Sequence, residues 1–133
     1  SEVCITVEFR HPDEALLVDM EDALHELSEH CASAYHLDVK TSPATRLPAA
    51  LLDLHVTQSI EKACDILNIT HQRLASYASH NAQTMSSFVP SGLFFIPSIN
   101  GISHHPSEYS KWEDVVSGTN VMLHTLLTMA LLH

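Results

Sequence analysis

The stretch VCITVEFRHPDEALLVDM, residues 3–20, changes its hydrophobic period half-way along and decides the predicted fold. From Val3 to Arg10 apolar and polar side chains alternate, which is typical of a half-buried β-strand. After Pro12 the apolar residues recur at helical spacing as far as Cys31, and acidic residues stand at the start of this segment. The stretch therefore predicts a strand followed by an amphipathic helix.

A second alternating segment, from Tyr35 to Lys40, lies beyond this helix and predicts another strand. Residues 3–41 are therefore predicted to form a β-α-β unit. The segment from Thr41 to Pro48 contains two prolines and several small polar residues, which is typical of a linker. We therefore predict one domain at residues 1–42 and a second at residues 43–133.

The second domain is predicted to be an α/β layer that ends in a helix. The apolar spacing from Leu51 to Leu67 predicts a helix that Asn68 closes in a left-handed conformation. The run from Leu93 to Ile96 is wholly apolar, as expected of a strand covered on both faces. The other predicted elements are a short strand at 74–78, a brief helix at 80–88 and a final helix beginning after Ser110.

The charge and the cysteine content exclude several classes of partner. Sixteen acidic and six basic residues give a net charge of -10, which would repel both a phosphate backbone and an anionic membrane. Three cysteines without a C-x-x-C spacing indicate neither a disulfide framework nor a zinc knuckle. We find neither a signal peptide nor a membrane span. The sequence thus predicts a cytoplasmic protein that binds neither nucleic acid nor membrane.

Three motifs occur in a fixed order along the chain: TVEFRHPDE at 6–14, SHNAQTM at 79–85 and FIPSINGISHHPSEY at 95–109. Together they resemble the zinc-dependent amidohydrolases that include N-carbamoyl-amino-acid hydrolases, β-ureidopropionase and allantoate amidohydrolase, relatives of the aminoacylase-type peptidases. The resemblance implies that residues 1–42 form half of a ferredoxin-like lid. It also implies that residues 43–133 form the C-terminal part of the catalytic domain, so the expected fold class is α/β (α+β).

The resemblance implies a site with two metal ions, but only His104 corresponds to one of the family's ligands. A catalytic zinc needs about three protein ligands, so we expect no metal or other cofactor unless a partner chain supplies the remaining ligands. Tyr77, Ser79 and Asn81 also stand where glycine, glycine and aspartate are usual in the family. The sequence therefore predicts an altered site, with zinc only in the alternative interpretation.

His80 and His104 are the predicted catalytic residues, because both match the motifs and an imidazole can exchange protons near neutral pH. Successive side chains of an extended loop point in opposite directions, so we expect His104 rather than His105 to face the pocket. His105 and Asn81 are predicted to contact the substrate. The alternative is that His80 and His104 are structural remnants of the family's site and take no part in catalysis.

Arg10 is the third predicted substrate-binding residue. In the resembled family the equivalent arginine grips the substrate carboxylate with its two-pronged guanidinium group. The alternative is a solvated arginine paired with Glu8 or Asp13.

Three functional hypotheses follow. The first is a truncated, metal-free descendant that binds a small carboxylate-bearing molecule and catalyses a non-hydrolytic step such as cyclisation or isomerisation. The second is half of a zinc amidohydrolase that a missing segment or a partner chain completes, and the third is a non-catalytic dimerisation module. The altered residues favour the first, and an unpaired edge of the β-α-β unit predicts a homodimer.

Overall fold

The computed structural model describes residues 2–42 and 45–131. The regular elements within these ranges are helices: α1 (Glu14–Tyr35), α2 (Leu54–Ile66), α3 (Asn81–Met85), a 3₁₀ turn (Ile99–Gly101) and α4 (Trp112–Leu131). The helices predicted at the start, in the middle and at the end of the chain are thus confirmed. None of them combines the length and the apolar character that crossing a bilayer would need.

The chain forms two compact units. The first consists of Ser1–Ala50 and Ala75–Ser79, and the second of Leu51–Leu74 and His80–His133. The domain boundary expected between residues 42 and 43 stays a prediction, since residues 43 and 44 of the predicted linker lie outside the described ranges.

Helix α1 begins and ends at residues whose side chains or backbone suit a helix terminus. The Asp13 side chain accepts a 2.9 Å hydrogen bond from the Ala15 N–H, so Pro12 lies just before the cap. His36 ends the helix in the left-handed region at φ 53°. Tyr35 is consequently the last helical residue and does not begin a strand.

The predicted β-α-β lid is wrong, because residues 2–42 and 45–131 contain no β-strand. Residues 3–10 are non-helical, and Val3 and Ile5 are 82% and 78% exposed. An alternating sequence suits a pleated surface, but a strand also needs a neighbour that pairs with its N–H and C=O groups. No described segment pairs with residues 3–10 or 37–41 in this way, which excludes a ferredoxin-like half-lid and the partial sheet after it.

The predicted strands at 74–78 and 93–96 are wrong for the same reason. The segment 93–96 is covered on one face by helices and is not paired through its backbone: Phe94 packs against the core, whereas Phe95 is 53% exposed. Gly118 of α4 permits this close packing, since a Cβ there would lie 2.5 Å from Cγ2 of Ile96.

The core of the second unit lies where α2 packs against α4. It is built from Ala63, Cys64 and Val121, with Phe94 and Ile69 against them. Burial raises the pKa of the Cys64 thiol, which disfavours the reactive thiolate, and the side chain packs in this core.

The predicted left-handed residue at the end of α2 is confirmed, with Asn68 at φ 54°. The Asn68 N–H donates to the Asp65 carbonyl at 3.1 Å and the Ile69 N–H to the Cys64 carbonyl at 2.9 Å, which is the Schellman pattern. The cap directs Ile69 back onto the core.

Candidate functional site

The two adjacent histidines lie in a loop that its own backbone closes. The Ile99 N–H donates a 2.8 Å hydrogen bond to the Tyr109 carbonyl, and the Ser98 hydroxyl donates to the Ile102 carbonyl. Asn100 and Gly101 turn the chain at φ 59° and 66°. The loop is therefore held at both ends, and His104 and His105 lie exposed within it.

His104 has a left-handed backbone at φ 56°. Its N–H donates a 3.1 Å hydrogen bond to Oε2 of Glu108, and the Glu108 N–H donates in turn to the His105 carbonyl at 2.9 Å. Left-handed backbone is uncommon for residues other than glycine, although histidine adopts it more readily than most. The Glu108 carboxylate thus stabilises an unusual conformation at the residue that the sequence singled out.

The ring of His105 is held by its own loop. Its Nδ1 accepts a hydrogen bond from the Ser107 N–H at 3.2 Å and lies 2.7 Å from the Ser107 hydroxyl. Because an N–H donor requires an unprotonated acceptor, the neutral ring carries its proton on Nε2. Within residues 2–42 and 45–131 the His104 ring makes no hydrogen bond, in contrast to the His105 ring.

His80 connects two of the motifs. It precedes α3 with an extended backbone, and its carbonyl accepts a 2.9 Å hydrogen bond from the Gln83 N–H. Its half-buried imidazole meets the ring of Phe95 edge-on, with 5.3 Å between the ring centroids. Asn81, the first residue of α3, is exposed. The SHNAQTM and FIPSINGISHHPSEY motifs are thus in direct contact.

Arg10 lies in the first unit and forms an ion pair. Its Nε and one terminal nitrogen lie 2.8 and 2.7 Å from Oε1 of Glu8, and its other terminal nitrogen donates to the Tyr77 carbonyl at 2.9 Å. The guanidinium group is about half exposed. The pairing with Glu8 is the alternative that the sequence left open, and the role of Arg10 as a carboxylate ligand stays a prediction.

The sequence analysis missed Glu108, and it noted Tyr77 without predicting its contact with Arg10. The spacing of Glu108 after His104, inside a loop rich in glycine, proline and asparagine, is a signal that could have indicated a backbone turn there. Arg10 contacts the backbone carbonyl of Tyr77, and the type of side chain at position 77 does not indicate such a contact.

The residues present do not fit a metal ion by themselves. In the described part of the chain no three His, Cys, Asp or Glu side chains lie close enough together to hold one. Zinc needs about three such ligands. We therefore derive no chemical step through zinc.

The described surface offers shallow depressions near the core. One, of about 340 Å³, is lined by Leu51, Asp53 and residues 86–91, and a second lies at 65–71. Neither contains a predicted site residue, and both are open to solvent. The predicted site residues thus lie outside both depressions.

Known proteins share this chain's sequence and backbone. Residues 4–128 match the model of peptidase family M20/M25/M40. The ureidoglycolate hydrolase of Arabidopsis thaliana is 38% identical over 84 residues, which cover 63% of this chain and 18% of that protein. The allantoate amidohydrolase of Escherichia coli (strain K12) is 26% identical over 125 residues, which cover 94% of this chain and 30% of that protein.

The backbone is similar to a solved structure as well. An amidase of the hydantoinase/carbamoylase family from Burkholderia multivorans superposes with a TM-score of 0.81 at 28% identity, over 89% of this chain and 29% of that chain. The chain thus spans between about a fifth and a third of the length of these relatives.

Proposed function

We propose, from the premise that this chain belongs to peptidase family M20/M25/M40, that it carries part of an amidohydrolase site completed by polypeptide outside residues 2–131. The proposed substrate class is a small ureido compound that bears a carboxylate. Ureidoglycolate and allantoate, named for two of the relatives, both combine these groups.

The observation that carries this proposal is the backbone of His104. A residue other than glycine at φ 56° is held in place only when its surroundings stabilise it, and such residues concentrate at functional sites. Here the stabilising group is the Glu108 carboxylate, which leaves the His104 ring exposed. An imidazole in this position can donate or accept a hydrogen bond, or move a proton, at the ureido group of a substrate.

Arg10, in the first unit, is proposed by itself as a carboxylate-binding residue. Its guanidinium group already binds one carboxylate, that of Glu8, with Nε and a terminal nitrogen. An exposed ion pair of this kind is weak and exchanges readily. Both nitrogens meet the same oxygen of Glu8, and a carboxylate that displaces Glu8 could instead bind them with its two oxygens.

Completion by further polypeptide is supported by the composition of the chain's surface. The chain covers 29% of the solved amidase, and large apolar residues such as Leu51, Phe88 and Trp112 are between 75% and 92% exposed. We infer that these side chains are among those that the completing polypeptide covers.

A metal-free reaction, such as cyclisation or isomerisation, is the second candidate function. Tyr77, Ser79 and Asn81 favour it, because the family resemblance implies glycine, glycine and aspartate at these positions. In that case shape and hydrogen bonds around His104 would provide the catalysis.

One experiment separates the two candidates. The full chain is co-expressed with the part of the Escherichia coli allantoate amidohydrolase that lies outside its match, and the purified complex is assayed for allantoate hydrolysis. We expect hydrolysis that His104→Ala reduces by at least about 100-fold. His105→Ala is the matched control and should cost less than about fivefold, because its ring is bound within its own loop.

A stable complex that binds allantoate without hydrolysing it, and whose binding depends on His104, would favour the second candidate. Hydrolysis that is equally sensitive to both histidines would contradict the assignment of His104.

A further inference from the structure

One aromatic side chain outside the core contacts a predicted catalytic residue. The ring centroid of Phe95 lies 5.3 Å from that of His80, and the two ring planes meet at 61°. Phe95 is 53% exposed, whereas the neighbouring Phe94 packs against the core. Both rings of the pair belong to the second unit. The packing of Phe95 is therefore directed at His80 and not at the core.

The residues on either side of Phe95 hold it in this place. A Cβ on Gly118 of α4 would lie 2.5 Å from Cγ2 of Ile96 and 3.6 Å from Cε2 of Phe94, so both of these side chains lie against the helix at Gly118. Phe95, between them, instead contacts His80 and solvent. The backbone is thus anchored on both sides of the residue whose ring meets the imidazole.

The imidazole of His80 does not serve the helix that follows it. His80 precedes α3 with φ -134° and ψ 154°, and its side chain makes no capping hydrogen bond. The hydrogen bond from the Gln83 N–H to the His80 carbonyl, at 2.9 Å, fixes the backbone and not the ring. Aromatic rings favour edge-on contacts with centroids about 4.5 to 7 Å apart, so the contact with Phe95 restricts the turning of the imidazole.

We propose that Phe95 is a positioning residue, which holds the His80 imidazole in the orientation in which it acts on the substrate. Phe95 acts through His80 and does not touch the reacting atoms. The proposal rests on the proposed function and adds to it His80, which the sequence predicts to be catalytic. Because a misplacement of about 1 Å can cost about 100-fold in rate, a loosened imidazole has a measurable effect on kcat.

The first measurement is made on the full chain alone and needs no activity. The order parameter of the His80 imidazole is determined by NMR relaxation in the wild type, in Phe95→Leu and in Phe95→Tyr. We expect it to fall by about a third in Phe95→Leu and to stay high in Phe95→Tyr, which keeps the ring. Phe88→Leu is the matched control and should leave it unchanged, since Phe88 is 77% exposed and makes no ring contact within residues 2–42 and 45–131.

The second measurement is the steady-state kinetics of the complex with the allantoate amidohydrolase segment. Phe95→Leu should lower kcat for allantoate about tenfold and change KM by less than about twofold, because His80 is present but less well oriented. Phe95→Tyr should restore most of kcat. In a His80→Ala chain, Phe95→Leu should have no further effect, because the group through which Phe95 acts is gone.

A second variant keeps the test decisive if Phe95→Leu loses helix content by circular dichroism. Phe95→Met then takes its place, because the unbranched methionine side chain adapts to irregular space without supplying a ring. The same fall in the order parameter of His80 and in kcat is expected.

Several results would overturn the proposal. These are an unchanged order parameter of the His80 imidazole in Phe95→Leu, a lower order parameter without a fall in kcat, a rise in KM alone, and an undiminished effect of Phe95→Leu in the His80→Ala chain. A complex that does not hydrolyse allantoate would instead overturn the proposed function. The order parameter of the chain alone would then still decide whether Phe95 positions His80.

Discussion

The Glu108 carboxylate accepts a 3.1 Å hydrogen bond from the backbone N–H of His104, and this contact fixes the left-handed backbone of the histidine. The two residues are four apart in one loop, so the contact is made within that loop. A site that further polypeptide completes can therefore have this part already formed.

The first prediction concerns the strain at His104. The His104→Gly variant should be more stable than His104→Ala by about 1 kcal/mol, because glycine adopts positive φ without a Cβ clash. Urea denaturation of the two variants measures the difference. The order should reverse at His105, whose φ is not positive, and the same order at both positions would show that the loop is not strained at His104.

The second prediction concerns Glu108. In the complex of this chain with the allantoate amidohydrolase segment (the two-chain complex), the Glu108→Ala variant should lower kcat for allantoate by about tenfold. KM should stay nearly unchanged, because the variant displaces the His104 ring but keeps the contact that binds the carboxylate. Steady-state kinetics measures this split. Ser107→Ala is the control, and a rise in KM alone for Glu108→Ala would assign Glu108 to ground-state binding.

The helices could be predicted from the sequence because their signals are local. The Asp13 cap, the apolar spacing of α2 and the left-handed Asn68 all act within a few residues. The alternation from Val3 to Phe9 is local as well, but a strand depends on a neighbour that the alternation does not specify. The backbone of this chain can thus superpose on that of a relative, although the described residues form no hydrogen-bonded β-sheet.

The roles of the predicted site residues stay predictions, and only their positions in the structure can be compared with the sequence. The motifs indicated His80 and His104, and the structure adds a ring contact between His80 and Phe95. The conformation of His104 and its contact with Glu108 could not be predicted, because they depend on the turns at Asn100 and Gly101. The expected homodimer stays a prediction.

The third prediction concerns the carboxylate. The Arg10→Ala variant should abolish calorimetric binding of allantoate to the two-chain complex, whereas Arg10→Lys should restore it only partly, because an ammonium lacks the planar fork. The Glu8→Gln variant should tighten binding, since it removes the carboxylate that competes for the guanidinium. Unchanged affinity in Arg10→Ala would remove Arg10 from the site.

The fourth prediction concerns the segment after the linker. The pKa of Glu14 is lowered by the hydrogen bond from the Ala49 N–H and by Arg46. A lowered folded-state pKa means that this contact contributes fully above the ordinary value of 4.5 and is lost as the pH falls through the lower folded value. The amide shift of Ala49 in an NMR titration should therefore change below pH 4.5. A Glu14→Gln variant that keeps the same titration would contradict the assignment.

The central claim is that the chain presents His104 to a site that outside polypeptide completes, and the zinc content of the purified full chain tests it most directly. After incubation with zinc and exhaustive dialysis, we expect less than about 0.1 zinc per chain, because no group of three ligands exists among residues 2–42 and 45–131. One zinc per chain, lost in His104→Ala, would contradict the account, since the chain would then hold the metal without a partner.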